Sequence, residues 1–459
     1  MAGQKPKSIT QLGHKREGIT RITVGGFKSI NQEQSIEIRP LTILAGANSS
    51  GKTSIMQPLL LLKQTLEAPY DPGALLLSGP NVRFTLADQL LSRTSGKQGK
   101  KIFHVGIEAR AEAALTTYFI QSKNKGFDVE QTIYDLDNKK YRIYRDMSQD
   151  DIQAVLSTTF RHNPKFIPEI VETKTEVVPI QNRCFLSLAT RFGPNNSFDL
   201  DFEHGLIELP NTLPGEMIVG NYVRRLIHLP GLRGNPERNY RVAAVGSEFI
   251  GTFENYAASV IWQWQLGGDK DKLEKLNLDL SRLGLTKKVV ANPIDATQIE
   301  LLVNRFPHGV ISDTDDMVSI ADVGFGVSQA LPVVVALHAA DEGQLIYLEQ
   351  PEIHLHPRAQ TALAEVLADA AMQGKRMVVE THSSLLLLGI QTLVAEGKLP
   401  PEMVKLHWFT RQEDGSTKIT SADLDETGAY GDWPEDFDTV TLNSESRYLD
   451  AAQARLRGK

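Results

Sequence analysis

An α/β fold is predicted, built around a nucleotide core that the chain splits between its two ends. Three observations predict it. A short apolar run, Leu41-Thr42-Ile43-Leu44-Ala45, leads into the glycine-rich Gly46-Ala47-Asn48-Ser49-Ser50-Gly51-Lys52-Thr53, and a helix-forming stretch follows from Ser54. Between residues 318 and 396 short apolar strands alternate with helices, the pattern of a parallel sheet with helices packed on it. Residues 102–144 alternate with a period of two, as antiparallel strands do.

The bulk composition suits that class. A chain of 459 residues is long enough for two or three globular units. With 41% hydrophobic and 23% charged residues it reads as an ordinary soluble protein. A net charge of −7 excludes a surface that binds polyanions as a whole, so nucleic-acid contact would need a local basic patch. The one cysteine, Cys184, forms no intrachain disulfide; it fits a reducing compartment and reads as a small core residue on a strand. Met1–Arg16 is polar and basic without an apolar core, so it is not a secretory signal. No run of eighteen apolar residues exists, so no membrane span is expected. The expected location is cytoplasmic.

Taken in order, residues 1–19 read as a disordered tail. Residues 20–145 carry the phosphate loop and antiparallel strands, beginning with a hairpin-like pair at 22–27 and 35–38. Pro58 falls inside the helix after the loop, where a missing hydrogen bond costs roughly 3 kcal/mol, so a kink is expected there. Residues 146–310 read as an inserted mixed α+β lobe, with a turn at Gly193-Pro194-Asn195-Asn196, helices expected over 248–265 and 270–283, and a strand over 299–303. Residues 311–400 return to the core: strand 318–320, a glycine-rich turn, helix 328–339, strand 345–348, helix 358–372, strand 376–379 and helix 383–395. Residues 401–459 add a strand from Met403 and a charged helix over 444–457. No sustained heptads appear, so no long coiled-coil arm is expected.

The loop 46–53 is a complete G-x-x-x-x-G-K-[ST] motif set between a strand and a helix, the context it needs. Its glycines let successive N–H groups turn toward phosphate oxygens, and the helix N-terminus adds partial positive charge. Lys52 would reach the β- and γ-phosphates of ATP, and Thr53, followed by Ser54, would hold Mg²⁺. Leu345-Ile346-Tyr347-Leu348-Glu349 is an apolar strand that fixes an acid at its end, the form of a Walker B element; Glu349 would hold Mg²⁺ or a metal-bound water. Thr381-His382-Ser383 follows the next strand, where His382 could bond a γ-phosphate or its attacking water, and Ser383 or Ser384 could cap the following helix. Upstream, Asp322-Val323-Gly324-Phe325-Gly326-Val327-Ser328-Gln329 is a glycine-rich turn entering a helix. Ser328 reads equally as a phosphate donor or as a helix cap.

Together, Gly26-Phe27-Lys28-Ser29, the phosphate loop, Gly324–Gln329, Glu349-Gln350-Pro351-Glu352-Ile353-His354-Leu355-His356-Pro357 and Glu380-Thr381-His382-Ser383 resemble the ABC-type ATPases of the SMC, RecF and OLD-like branch, including AAA-type ATPases of bacterial anti-phage systems. The resemblance covers about a third of the chain, at its two ends. It implies an ABC-like head and a head-to-tail ATP sandwich between two copies, with Lys52, Thr53, Glu349 and His382 acting in one protomer. Gly326 and Ser328 would meet the γ-phosphate held by the other. It further implies an effector protein, of nuclease type, acting beside the ATPase. One departure is plain. The branch ends Walker B with two acids, the second a general base, and here that place holds Gln350, whose amide positions water but takes no proton. Glu352 is the nearest replacement carboxylate: either Glu352 or the substrate phosphate takes the proton, or turnover is slow and the protein is mainly an ATP-held clamp. Gln89 is a candidate for the branch's glutamine loop or simply a surface residue.

In the inserted lobe, Tyr222, Arg224, Arg225, His228, Arg233, Arg238, Tyr240 and Arg241 concentrate cations and aromatics. Arginines pair with phosphates in a bidentate way, so this stretch could touch nucleic acid; the alternative is a lobe interface laced with salt bridges. Other function classes stay open beside the defence ATPase: a DNA-maintenance ATPase, a nucleotide-locked scaffold with negligible hydrolysis, a transporter motor and a P-loop kinase.

Overall fold

The computed structural model describes residues 18–93, 101–109, 113–122, 126–136, 139–159, 176–191, 206–208, 214–305 and 316–431. At its centre lies a six-stranded sheet in the order Ile227–Leu229, Leu345–Glu349, Arg376–Glu380, Leu41–Gly46, Val404–Arg411, Thr417–Ala422. The first five strands run parallel and the last returns antiparallel. The five parallel strands are buried almost throughout because both faces are covered, as buried parallel sheets require, whereas the edge strand Thr417–Ala422 is polar and largely exposed. The pleat then sorts the residues. Ile43, Ile346, Leu348, Met377 and Val379 join one core with the helices Ala257–Gly267, Phe325–Ala339, Pro357–Met372 and Ser384–Ala395. Leu44, Leu345, Tyr347 and Val378 join the other, against the helix Lys52–Glu67.

The second core is closed by a six-stranded antiparallel sheet in the order Gln34–Glu37, Ile19–Gly25, Ile102–Ala109, Ala113–Gln121, Phe127–Leu136, Lys139–Tyr144. Phe103, Val105, Ile107, Leu115 and Phe119 are its inward residues, alternating as the period-two pattern requires. The fold is thus α/β: a parallel core carrying the phosphate loop, with an antiparallel sheet set against it, as the split nucleotide core predicted.

The inserted segment does not stand apart. Its short strand Ile227–Leu229 forms the edge of the central sheet beside Leu345–Glu349. Its helices Ala257–Gly267 and Lys270–Arg282 pack into the first core and its helix Pro214–Arg224 into the second. Lys63, fully buried in the phosphate-loop helix, pairs with Glu67 and donates to the carbonyls of Arg224 (3.0 Å) and Phe249 (2.9 Å). That buried charge ties the insertion to the nucleotide core. Both partners resist ionisation through burial, which lowers the Lys63 ammonium and raises the Glu67 carboxyl.

Several expectations shift in detail. The helix Lys52–Glu67 continues without interruption through Pro58, which is itself buried. The helix expected from Glu248 begins at Ala257, after the short 3-10 turn Phe253–Tyr256. Cys184 is buried, in the turn between the strands Glu176–Asn182 and Phe185–Arg191 rather than on a strand. Among the described residues no helix is long and apolar enough to cross a membrane. The N-terminal tail through residue 17, the turn 193–196 and the charged helix expected over 444–457 lie outside the described residues.

Candidate nucleotide site

The strand Leu41–Gly46 is wholly buried, and it delivers the loop to the carboxyl end of the central sheet. There the chain reverses through left-handed backbone at Gly46 (φ 143°), Ser49 (φ 59°) and Gly51 (φ 101°). A Cβ at Gly46 would lie 2.4 Å from the Phe409 carbonyl oxygen, and one at Gly51 2.3 Å from Thr417 Oγ1, so both positions need glycine on space as well as on φ. The hairpin Val404–Ala422 braces the loop: Arg411 Nη1 donates to the Ser49 carbonyl (3.2 Å) and Thr417 Oγ1 to that of Ser50 (2.7 Å). Lys52 Nζ donates to the carbonyls of Gly46 (3.1 Å) and Ala47 (2.9 Å). Burial pulls the Lys52 ammonium below its ordinary range, against the opposing pull of Glu380.

In front of the loop opens a cleft of about 990 Å³. Asn48, Ser49, Gly51, Lys52, Thr53 and Ser54 line one side, and Gln350, Glu380 and His382 another. Lys28, Gln89 and Arg93 from the antiparallel part, and Arg411, complete its polar rim. Among the described residues the non-glycine positions with left-handed φ are Lys28, Ser49, Arg183, Gln350 and His354. Three of them, Lys28, Ser49 and Gln350, line this cleft, and strained backbone of this kind clusters where function requires it.

The motif residues separate into those the fold gathers and those it does not. Gln350 faces the cleft, with its N–H donating to the Glu380 carbonyl (2.8 Å). His382 lines it too, and burial followed by the Lys52 charge lowers its imidazole, favouring the neutral ring. Ser383 caps the next helix, its Oγ accepting from the Leu386 N–H at 3.0 Å.

Glu352 points elsewhere. Its Oε1 accepts from Thr381 Oγ1 (2.6 Å) and from the His382 N–H (3.0 Å), so it fixes the loop that presents His382. Glu349, expected to hold the metal, is likewise committed: Oε1 lies 3.1 Å from His228 Nε2, and Oε2 accepts from the Gly231 N–H at 3.1 Å. Burial would raise its carboxyl, but His228, Gly231 and Arg233 outweigh burial and hold it below the usual range. The carboxylate that meets Thr53 is Glu380, with both oxygens 3.0 Å from Thr53 Oγ1. Burial and the neighbouring Glu349 raise the Glu380 carboxyl, opposed by Tyr347, Lys52 and Thr53. Glu380 had a sequence signal: like Glu349, it ends an apolar strand, and the two are register partners at the same end of the sheet.

Gly326 and Ser328 stand away from the cleft in the helix Phe325–Ala339, where Ser328 Oγ donates to the Phe325 carbonyl (3.0 Å) and the cap position is Gly324. Gln89 lies on the cleft wall, but its side-chain carbonyl is occupied by the N–H groups of Thr85 (2.9 Å) and Leu86 (3.3 Å).

The arginine group is largely paired within the chain. Arg225 pairs with Asp341 (2.5 Å), and Arg238 with Asp322 through two bonds of 2.6 and 3.0 Å. Buried Arg233 donates to the carbonyls of Gln329 (3.1 Å) and Glu349 (3.0 Å). Three of the five arginines expected to meet nucleic acid are therefore spent on intramolecular bonds, which corrects the basic-patch reading toward the salt-bridged alternative. Arg224 ends a helix, and Arg241 lies exposed on the short strand Tyr240–Arg241.

A magnesium ion fits the donor set by its chemistry. Mg²⁺ takes hard oxygen ligands, keeps several waters, and is commonly held by one or two protein groups plus phosphates. Thr53 and Glu380 offer such oxygens at the loop's helix. Among the described residues no cluster of three or more His, Cys, Asp or Glu side chains is placed to hold a metal unaided.

Two family models match the chain, "AAA ATPase domain" over residues 18–182 and "AAA domain, putative AbiEii toxin, Type IV TA system" over residues 266–388. No curated protein matches it. Similar solved structures include an SMC head bound to the C-terminal winged-helix domain of ScpA, at 14% identity, TM-score 0.46, covering 89% of this chain and 98% of that one. Another is the SMC head domain from Thermotoga maritima, at 10% identity and TM-score 0.40, covering 88% and 98%. A third is an Smc head with an extended coiled coil from Pyrococcus furiosus, bound to the C-terminal domain of ScpA, at 12% identity and TM-score 0.45, covering 95% and 99%. At that distance they say nothing of what this chain binds. The phosphate loop lies in the first matched segment and the acid-tipped strands in the second, so the chain resembles AAA-type ATPases in both parts of its nucleotide core.

Proposed function

We propose that this chain binds ATP with Mg²⁺ in the cleft at residues 46–54, hydrolyses it slowly, and uses the bound state to close on a second copy of itself. The observation that carries this reading is the convergence of Lys52, Thr53, Gln350, Glu380 and His382 on one cleft from three neighbouring strands. Lys52 would leave the loop carbonyls for the phosphates. The phosphate loop and the N-terminus of its helix would cradle them. Mg²⁺, when bound, would neutralise developing charge on the phosphates. His382, held by Glu352, would orient the attacking water or the γ-phosphate. Gln350 would position water without taking its proton, which is why slow turnover is proposed.

Gly326 and Ser328, outside this cleft in the same chain, suit a role against the nucleotide of a second copy. Such a clamp would act as a sensor or scaffold for an effector protein of nuclease type in anti-phage defence. The toxin–antitoxin wording of the second family description is in keeping with that role. A nucleotide-locked scaffold is the second reading, favoured by Gln350. A DNA-maintenance ATPase stays compatible as an alternative, although Arg225, Arg233 and Arg238 are bonded within the chain.

The test combines nucleotide calorimetry, phosphate release and native mass measurement, with and without a slowly hydrolysed ATP analogue. ATP uptake, slow release and analogue-dependent doubling of mass are expected, all lost in Lys52→Ala. Absence of adenine-nucleotide uptake by the wild-type chain would remove the reading. Uptake with no phosphate release would leave the scaffold.

A further inference from the structure

The chain ends two adjacent parallel strands with glutamates, Glu349 and Glu380, in register with each other. One of them must face the phosphate-loop hydroxyl, and their hydrogen bonds distinguish them. We infer that the metal-holding acid of this ATPase is Glu380, on the strand between the Walker B-like strand and the phosphate loop, and that Glu349 has become a structural anchor. The inference rests on the cleft being the ATP site.

Glu380 is buried, and its carboxylate is set on the loop's threonine: Thr53 Oγ1 lies 3.0 Å from each oxygen. It is held from behind by the fully buried Tyr347, whose hydroxyl donates to Oε2 at 2.9 Å. Its own carbonyl accepts the N–H of Gln350 (2.8 Å), which fixes the strand end beside the cleft. A carboxylate placed in this way is preorganised for a hard cation that Thr53 also touches.

Glu349 has the opposite arrangement. Each of its oxygens is taken by the segment 228–231, through His228 Nε2 and the Gly231 N–H. His228 is almost wholly buried, stacks on the Tyr347 ring at 5.4 Å with planes 9° apart, and meets Asn81 Oδ1 through Nδ1 at 3.1 Å. Turning Glu349 toward the cleft would break both contacts and strand a buried histidine. Glu349 thus fastens the insertion's edge strand to the sheet, and its neighbour Glu380 faces the site.

The experiment is nucleotide binding by calorimetry on the full chain, using ADP and a slowly hydrolysed ATP analogue, each with Mg²⁺ and with EDTA. Mn²⁺ signals are read in parallel by electron paramagnetic resonance. Wild type, Glu380→Gln, Glu380→Asp, Glu349→Gln and Thr53→Ala are compared. Wild type is expected to bind nucleotide more tightly with Mg²⁺. Glu380→Gln should lose about tenfold or more of that gain, the scale of a removed metal-site group, while keeping its metal-free affinity as proof of folding. Glu380→Asp should recover part of the gain, and Thr53→Ala should lose it. Glu349→Gln should keep the gain within about threefold and lose thermal stability instead. The inference is overturned if Glu349→Gln loses the Mg²⁺ gain and Glu380→Gln retains it, or if both lose it equally. If Glu349→Gln does not fold, wild-type Mn²⁺ spectra against Glu380→Gln decide alone, and an unchanged spectrum overturns the inference. Wild-type protein that binds no nucleotide in either condition defeats the ATP-site reading instead.

Discussion

Replacing Arg233 by Met tests whether the glycine-rich turn and the Walker B-like strand are mechanically joined. Arg233 is 7% exposed, and its guanidinium is the fork that joins the helix Phe325–Ala339, at the Gln329 carbonyl, to the Glu349 carbonyl. Gln329 answers in kind, its Nε2 donating to the carbonyls of Arg233 (3.3 Å) and Gly234 (3.0 Å). Two charge-assisted bonds are worth about 1.5–3 kcal/mol each. Against them stands the cost of burying the charge, which pulls the arginine below its ordinary value to about 10 and corresponds to about 3 kcal/mol. Methionine keeps the apolar stem and removes that cost, but it leaves two buried carbonyls without their donor. The net loss is therefore on the order of 2 kcal/mol. Urea denaturation followed by circular dichroism reads it, with Arg238→Met as the comparison, because the solvent-screened, exposed Arg238–Asp322 pair should contribute little to stability. Arg233→Lys should recover one contact of the two. If Arg233→Met is as stable as wild type, or no worse than Arg238→Met, the join between the two elements is not supported by this side chain.

Three further outcomes are expected. Gly46→Ala should weaken nucleotide binding by about tenfold or more, because a Cβ there meets the Phe409 carbonyl oxygen at 2.4 Å on a backbone with φ of 143°; calorimetry with ADP reads it. His407 is buried between Ser421 and the Glu37 carbonyl, and burial lowers its imidazole to about 4. Below pH 6.5 the unfolded chain takes up a proton that the folded chain refuses, so stability should fall from pH 6.5 toward 4 by up to about 3 kcal/mol, with no contribution above 6.5. His407→Asn should flatten that part of a urea-midpoint profile. Glu352→Gln keeps an acceptor oxygen for the bonds now made to Thr381 and the His382 N–H. Phosphate release should then fall by less than about tenfold, and a fall of about a hundredfold or more would return Glu352 to the role of general base.

Much of the fold was legible because its strongest signals are local. The phosphate loop carries its glycines, lysine and threonine within eight positions, and its flanking strand and helix are read from apolar runs. The alternation of strand and helix after residue 318 is equally local: the strands Leu345–Glu349 and Arg376–Glu380 enter the parallel sheet as expected, whereas the strand Met317–Ser319 pairs antiparallel with Gln298–Asn304 instead. What was not legible is pairing at a distance. The tripeptide Ile227-His228-Leu229 is too short to declare itself a strand, and the arginines around it drew attention as a patch. Only the sheet shows that it completes the core edge beside Leu345–Glu349. The strand Phe127–Leu136 lies within the period-two stretch 102–144, with Asp128 and Glu130 as its alternating polar positions.

The site divides along the same line, and the two glutamates show why. Glu349 and Glu380 both close an apolar strand, and register makes them neighbours, so strand pattern alone gives each the same claim on the metal. The choice between them is made by residues far away in the chain. His228 and Gly231, 121 and 118 positions before Glu349, take its oxygens, and Thr53, 327 positions before Glu380, meets the other carboxylate. A motif records the residue types a site uses, but not which of two equivalent acids has been claimed for structure. Where a family's acid pair is broken, as Gln350 breaks it here, the neighbouring strand's end is the next place to look for a charge, because parallel register delivers it to the same edge of the sheet.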